Sequence, residues 1–152
     1  MRDEAGSPAP RGPLVVEQGE FAGWQNWPHD AFESHAGPFY FRYDENGDAV
    51  CAFRAEQRHM NGGGFMHGGC LMTFADFALF SIAHRELGGA HAVTLSMTSD
   101  FLDPSRAGQW IEARGEVTRA GGKTVFVRGT ITADGKPVFT FTGIIRKVGQ
   151  RS

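Results

Sequence analysis

Two cysteines in a chain of 152 residues are too few for a disulfide framework, so a reducing, cytoplasmic setting is the simpler expectation. Basic charge is not in excess either: Lys+Arg 15 against Asp+Glu 17 leaves a formal charge of −2. A nucleic acid or an anionic membrane as partner would call for clustered positive charge, so neither is expected. Long apolar runs are also missing. The longest, Cys70 to Ala83, is interrupted by Asp76 and falls short of the ~20 residues that span a bilayer. Met1 to Pro13 carries three prolines and no apolar core, so it does not read as a secretory signal. Tyrosine is scarce, 2 against 13 Phe, which makes the aromatic surface overwhelmingly apolar. A Phe-rich core is the simpler reading; the sharper alternative is that some of these rings line a slot for an acyl or aryl group.

What is present suffices for one domain: 41% hydrophobic residues with 21 glycines beside them. Residues 1–18 read as a flexible leader and 19–150 as the domain. Phe21, Trp24, Trp27 and Phe32 have loosely helical spacing interrupted by Pro28, which predicts a short helix within 20–32. These rings are expected to pack on the outer face of a sheet rather than cap a pocket. Strand-like residues 38–43 and 49–55 flank Asp44-Glu45-Asn46-Gly47-Asp48, which carries the Asn-Gly hairpin signal. A glycine-dense loop, residues 61–69, then opens an apolar helix from Cys70 to Glu86, closed by Gly88-Gly89. A helix apolar on every side is expected to be buried on every side. Strands follow at about 91–101, 108–119, 123–133 and 137–147, read as a four-strand meander. The sum is an α+β domain in which a curved antiparallel sheet wraps one long central helix. Its sheet edges need covering, which makes a homodimer the natural expectation.

Asp76 lies in the most apolar segment of the chain, Leu71 to Phe80. An ionised carboxylate there is costly unless it is hydrogen-bonded, so it is either a satisfied structural group or a functional one. Gly68-Gly69 at the helix start leave bare N–H groups at the positive end of the helix dipole, suited to an anion or a developing oxyanion. The spacing matches neither a Walker pattern nor a dinucleotide fingerprint. Gly68 and Asp76 are eight residues apart, about 12 Å at ~1.5 Å per residue along a helix. They cannot act on one reacting group within one chain. If both are catalytic, each meets the other's counterpart from a second protomer. His67 and Cys70 lack a second pair at ligand spacing, so no metal is expected, and no base can be assigned to Cys70 as a nucleophile.

Asn61-Gly62-Gly63-Gly64-Phe65-Met66-His67-Gly68-Gly69 followed by Asp76 resembles the N-x-x-G-x-x-H-G-G-(x6)-D signature of hotdog-fold acyl-CoA thioesterases, and more narrowly their phenylacetic-acid-degradation branch. The matching order continues through Val93-Thr94-Leu95-Ser96, Phe101-Leu102-Asp103-Pro104, Gly121-Gly122-Lys123-Thr124 and Val138 to Gly143, and covers about Gly37 to Val148. The resemblance implies a hotdog fold assembled as a dimer, commonly paired again into a tetramer. It implies Asp76 as nucleophile or general base, and the backbone N–H of Gly68 of the other protomer as the group that polarises the thioester carbonyl. Asn61 would position the water or the thioester, His67 would orient the loop, and Thr94 would hold the water or the carboxylate. Ser96, Arg119, Gly122, Lys123 and Thr124 fall where family members contact substrate and coenzyme A. Phe65 and Met66, with Phe74 and Phe77, would line the acyl group. Coenzyme A enters as part of the substrate, and no separate cofactor is implied.

These roles suit hydrolysis of an aryl- or medium-chain acyl-CoA thioester, since a thioester carbonyl needs an oxyanion donor and a base within reach. A covalent anhydride and an activated water would use the same aspartate. Two other readings compete. A hotdog hydratase or dehydratase would want an acid–base pair placed for proton abstraction, and a noncatalytic acyl-CoA-binding hotdog protein would tolerate loss of Asp76.

Overall fold

A computed structural model of the chain describes residues 12–149. Of the expected leader, residues 1–11 lie outside the described residues. Within the remainder, β1 (Leu14–Val15) pairs antiparallel with β2 (Gln25–Asn26), so the sheet reaches further towards the N-terminus than expected. No helix forms over 20–32 as a unit. Gly19 and Gly23 turn the chain at φ 88° and 89°, Phe21 and Trp24 sit in that turn, and the helix starts only after Asp30 as α1 (Ala31–Ala36). β3 (Tyr40–Tyr43) and β4 (Ala49–Arg54) form the expected hairpin. The Asp44 carboxylate accepts from the N–H groups of Asn46 (2.9 Å) and Asp48 (3.0 Å) and closes its turn.

The central helix α2 (Gly68–Ile82) begins two residues before the expected start. It ends at Ala83 and is followed by the single turn α3 (His84–Leu87), which Gly88 terminates in the left-handed region. Four long strands follow: β5 (Ala92–Phe101), β6 (Trp110–Gly121), β7 (Thr124–Ala133) and β8 (Lys136–Lys147). Their order corrects the expected meander. The sheet runs β1-β2-β3-β4-β6-β7-β8-β5, antiparallel throughout, so β5 sits at the far edge beside β8 and β6 returns to pair with β4. The helix is the reason. Its 15 residues span about 22 Å, close to the roughly 19 Å of four strand spacings between β4 and β5.

The core lies between α2 and the inner face of the sheet. Val125, Val127 and Ile131 from β7, and Phe139, Phe141 and Ile145 from β8, alternate inward against Phe74, Ala75, Ala78 and Leu79. The helix can approach closely because three facing strand positions carry no side chain. A Cβ at Gly143 would lie 2.5 Å from Leu79, and those built at Gly115 and Gly129 would overlap the carbonyl oxygens of Arg128 and Arg114 or the packed side chains beside them. On the outer face the Phe21 ring bridges Tyr40 of β3 (4.0 Å) and Trp110 of β6 (5.1 Å) across β4, with Trp24 edge-on to Trp110. β4 is thereby covered on both faces, and residues Ala49 to Phe53 are all buried. The other two N-terminal rings depart from the expected outer packing: Trp27 lies against Phe41 of the core, and Phe32 stands beside Asp76.

Gly115→Ala is expected to destabilise the fold by about 1–3 kcal/mol, because backbone across the strand occupies the space its Cβ would need. Gly121→Ala, with nothing within 4 Å of its Cβ, is expected to stay within about 0.5 kcal/mol of the parent in the same denaturant titration.

Candidate active site

The glycine loop is braced by its own first residue. Asn61 Oδ1 accepts from the N–H groups of Gly63 (2.9 Å) and Phe65 (3.1 Å), which leaves the amide NH2 as the group Asn61 has to offer. His67 is the N-cap of α2. Its Nδ1 accepts from the Gly69 N–H (2.9 Å), and its carbonyl accepts from Cys70 (2.9 Å) and Leu71 (3.3 Å). Of the first helical N–H groups, the Gly68 N–H alone has no acceptor among the described residues. The Phe101 ring packs against the bare Cα of Gly68, where a Cβ would lie 3.0 Å from it. Asn61, Met66, Gly68, Leu71 and Phe101 line one open cavity of about 380 Å³.

A second cavity, about 350 Å³, lies further along the same helix and is lined by Asp30, Phe32, Glu33, Met72, Thr73 and Asp76. Asp76 is half-buried, and the Thr94 hydroxyl donates to its Oδ1 at 2.6 Å. The expected all-round burial of the helix is thus corrected: Met72, Thr73, Asp76 and Phe80 form a stripe that the sheet leaves partly open. The opposite wall is α1. Asp30 caps it by accepting from the Glu33 N–H (2.9 Å), and Arg58 and His59 bind the carbonyls at its other end, Arg58 those of His35, Ala36 and Gly37, and His59 Nε2 that of Ala36 (2.9 Å). Burial, and then the Arg58 charge, hold the His59 pKa down, in keeping with a neutral ring that accepts from the Glu56 N–H at Nδ1. Burial pushes the Glu33 carboxyl up to about 7, with the negative charges of Asp30 and Asp76 adding to the shift.

The structure therefore gathers the predicted residues into two groups, Asn61, Met66, His67 and Gly68 at the helix start, and Asp76 with Thr94 two turns on. Arg119, Gly122, Lys123 and Thr124 sit at the β6–β7 turn. Register places Val125, Ile145 and Thr94 in one row across β7, β8 and β5, so this turn ends about 10 Å from Thr94. Ser96 is not brought to Asp76: a bulge between Thr94 and Ser96 turns it to the outer face, beside Thr98 and Thr142. Phe65 lies under the Arg106 guanidinium (4.6 Å), while Phe74 and Phe77 are packed within the core and line neither cavity. Cys70 stays a thiol, its pKa pushed up to about 11 by burial. Sequence reasoning misplaced Phe32, which it assigned to the outer face of the sheet, and missed Glu33, Arg58 and His59. The signal for Phe32 and Glu33 was present in Asp30-Ala31-Phe32-Glu33, an N-cap spacing placed just after Pro28.

Comparison with known proteins bears on this arrangement. The thioesterase superfamily matches residues 63–140 of the chain. The acyl-coenzyme A thioesterase PaaI of Escherichia coli is 33% identical over 131 residues, covering 83% of this chain and 91% of that protein. The structure of the E. coli PaaI protein from the phenylacetic acid degradation operon superposes with a TM-score of 0.70 at 28% identity, over 80% of this chain and 86% of that one. A mutant of the phenylacetic acid degradation protein PaaI of Thermus thermophilus gives a TM-score of 0.68 at 30% identity, over 78% of this chain and all (100%) of that one. The hotdog fold implied by the resemblance is the fold of this chain.

The Glu33 shift fixes a sign for stability against pH. The folded pKa lies above the ordinary value of 4.5, so its contribution is fully present below about 4.5 and is lost as pH rises through about 7. Denaturant titrations of the native chain are expected to lose stability across that window relative to Glu33→Gln. Parallel pH profiles of the two proteins would contradict this.

Proposed function

The chain belongs to the thioesterase superfamily, and on that premise we propose that it hydrolyses acyl-coenzyme A thioesters with aryl or medium-chain acyl groups, at sites shared between two copies of the chain. The observation that carries the reading is the division of the site. A Gly68 N–H without an acceptor among the described residues and a hydrogen-bonded Asp76 carboxylate lie on one helix, separated by about 12 Å, too far to serve one carbonyl. A two-fold partner can supply the missing half to each. The edge that would meet it carries exposed apolar residues: Val93, Leu95, Phe101 and Leu102, on and just beyond the edge strand β5, are 46–59% exposed.

In the proposed reaction the thioester carbonyl oxygen accepts from the Gly68 N–H of one protomer, with the Asn61 amide beside it. Asp76 of the other protomer is general base. Thr94 holds Oδ1, leaving Oδ2 to take a proton from water as the water oxygen bonds to the thioester carbon. The tetrahedral oxyanion collapses, the C–S bond breaks, and coenzyme A leaves as the thiolate. His67 keeps the Gly68 N–H in position by capping the helix. Arg119, Gly122, Lys123 and Thr124 are the proposed contacts for coenzyme A, being exposed or half-exposed at the sheet end nearest Thr94. Met66 and Phe65 flank the acyl group, and Ser96, on the outer face, is left without a part.

A thiol-release assay over aryl- and alkyl-CoA thioesters tests this. Asp76→Ala is expected to lower kcat by about 10²–10⁴, and Thr94→Val by about 3–10-fold. Gly68→Pro removes the N–H at the first helical position, where backbone geometry admits proline once the Phe101 ring, 3.0 Å from a Cβ there, gives way, and is expected to cost about 10²–10³. Folded variants that keep the activity of the parent would sink the reading.

Because each proposed site draws on both chains, two inactive variants are expected to complement. An equal mixture of Asp76→Ala and Gly68→Pro chains, exchanged through the unfolded state, is expected to regain about a quarter of parental activity, from heterodimers with one intact site of two. No recovery, with heterodimers demonstrated, would place both groups in one chain.

A further inference from the structure

The wall of the Asp76 cavity contributed by α1 has not been used by the proposed reaction. It combines one exposed ring, Phe32, with two carboxyls, Asp30 and Glu33, and Asp76 faces them from α2. No lysine, arginine or histidine lines this cavity among the described residues. The other side of Glu33 gives no cation either, since Asn26, Trp27, Pro38 and Phe39 stand there. The cluster is held in place: the Asp30 carboxylate is bound at the helix start, and Arg58 spends its guanidinium on Glu56 and on the carbonyls at the helix end.

Resting on the thioesterase reading above, we propose that Glu33, with Phe32, is a specificity-determining wall of the acyl site, which admits uncharged acyl groups and repels those ending in a carboxylate. The chemistry is that of like charges in a partly desolvated cleft. A substrate carboxylate entering beside Asp76 meets further carboxylates with no compensating cation, whereas a methyl or aryl terminus meets Phe32 and Met72. Glu33 is the adjustable member of the wall. Its carboxyl becomes anionic as pH rises through about 7, so the penalty on a charged acyl terminus grows over the same range. The chemical step at the thioester carbon is common to charged and uncharged substrates, so a ratio of substrates isolates the wall from that step.

The test is kcat/KM for two matched pairs, hexanoyl-CoA against adipoyl-CoA and phenylacetyl-CoA against 4-carboxyphenylacetyl-CoA, in the native protein and in Glu33→Gln. Within each pair the substrates differ chiefly in a terminal carboxylate. The native protein is expected to disfavour the carboxylate member at least tenfold at pH 8, and Glu33→Gln to narrow that ratio at least threefold. In the native protein the ratio is also expected to narrow as pH falls through about 7, a measurement that does not depend on the variant folding. Efficient hydrolysis of the uncharged members, with a ratio indifferent to both Glu33 and pH, would overturn the assignment of the wall and leave the thioesterase reading standing. Release of thiol from none of the four would overturn both.

Discussion

An α-helix as apolar as Gly68–Ile82 has to be covered, and a single chain covers only part of it. The sheet takes one side through Phe74, Ala75, Ala78 and Leu79, and three strand glycines let the two approach. α1 leans towards the opposite side without sealing it, and the stripe of Met72, Thr73, Asp76 and Phe80 stays partly open. Burying such a stripe is worth roughly 25 cal/mol per Å² of apolar surface, a strong reason for another surface to lie on it. A carboxylate within that stripe would be a liability in a helix with no chemical task. Here it accepts from a neutral hydroxyl, that of Thr94, which meets one of its hydrogen-bonding needs.

The same helix explains why its first turn is bare. The N-cap of a buried helix must satisfy its N–H groups locally, and His67 does so for Gly69, Cys70 and Leu71 through its ring and its carbonyl. Among the described residues only the Gly68 N–H is left without an acceptor in this turn. Its lack of a side chain lets Phe101 close over the Cα, and it needs no left-handed φ to do this. One unpaired donor in a capped helix start is a specific arrangement, and it is the one an oxyanion would use.

Much of this was legible in the sequence because it is local. The Asn-Gly turn, the period-two pattern of β7 and β8 and the His-Gly-Gly start of the helix each depend on neighbours within a few residues. The placement of β5 was not legible. A run of four strands reads as a meander unless it is known that the helix delivers the first of them to the far edge. The N-terminal rings misled for a similar reason: Phe21, Trp24, Trp27 and Phe32 share a loosely helical spacing, yet Gly19 and Gly23 turn the chain and send them to different surfaces. The role proposed for Glu33 depends on α1 being brought against α2 by Arg58 and His59, contacts more than twenty residues away in sequence.

The separation of Thr94 from Ser96 shows the limit of pattern reading most directly, because it is also the feature the proposed chemistry needs. Strict alternation puts residues 94, 96 and 98 on one face of β5, which would send Ser96 to Asp76 and leave Met97 and Ser99 outside. The bulge at Leu95 shifts the phase, so that Thr94, Met97 and Ser99 face the helix while Ser96 and Thr98 face away. Three demands on one edge strand are met by that single extra residue: a hydroxyl on Asp76, a filler for the core below it, and a polar outer face. A regular strand could meet the first only by exposing the second. The irregularity is therefore part of the proposed site, and alternation in the sequence gives no sign of it.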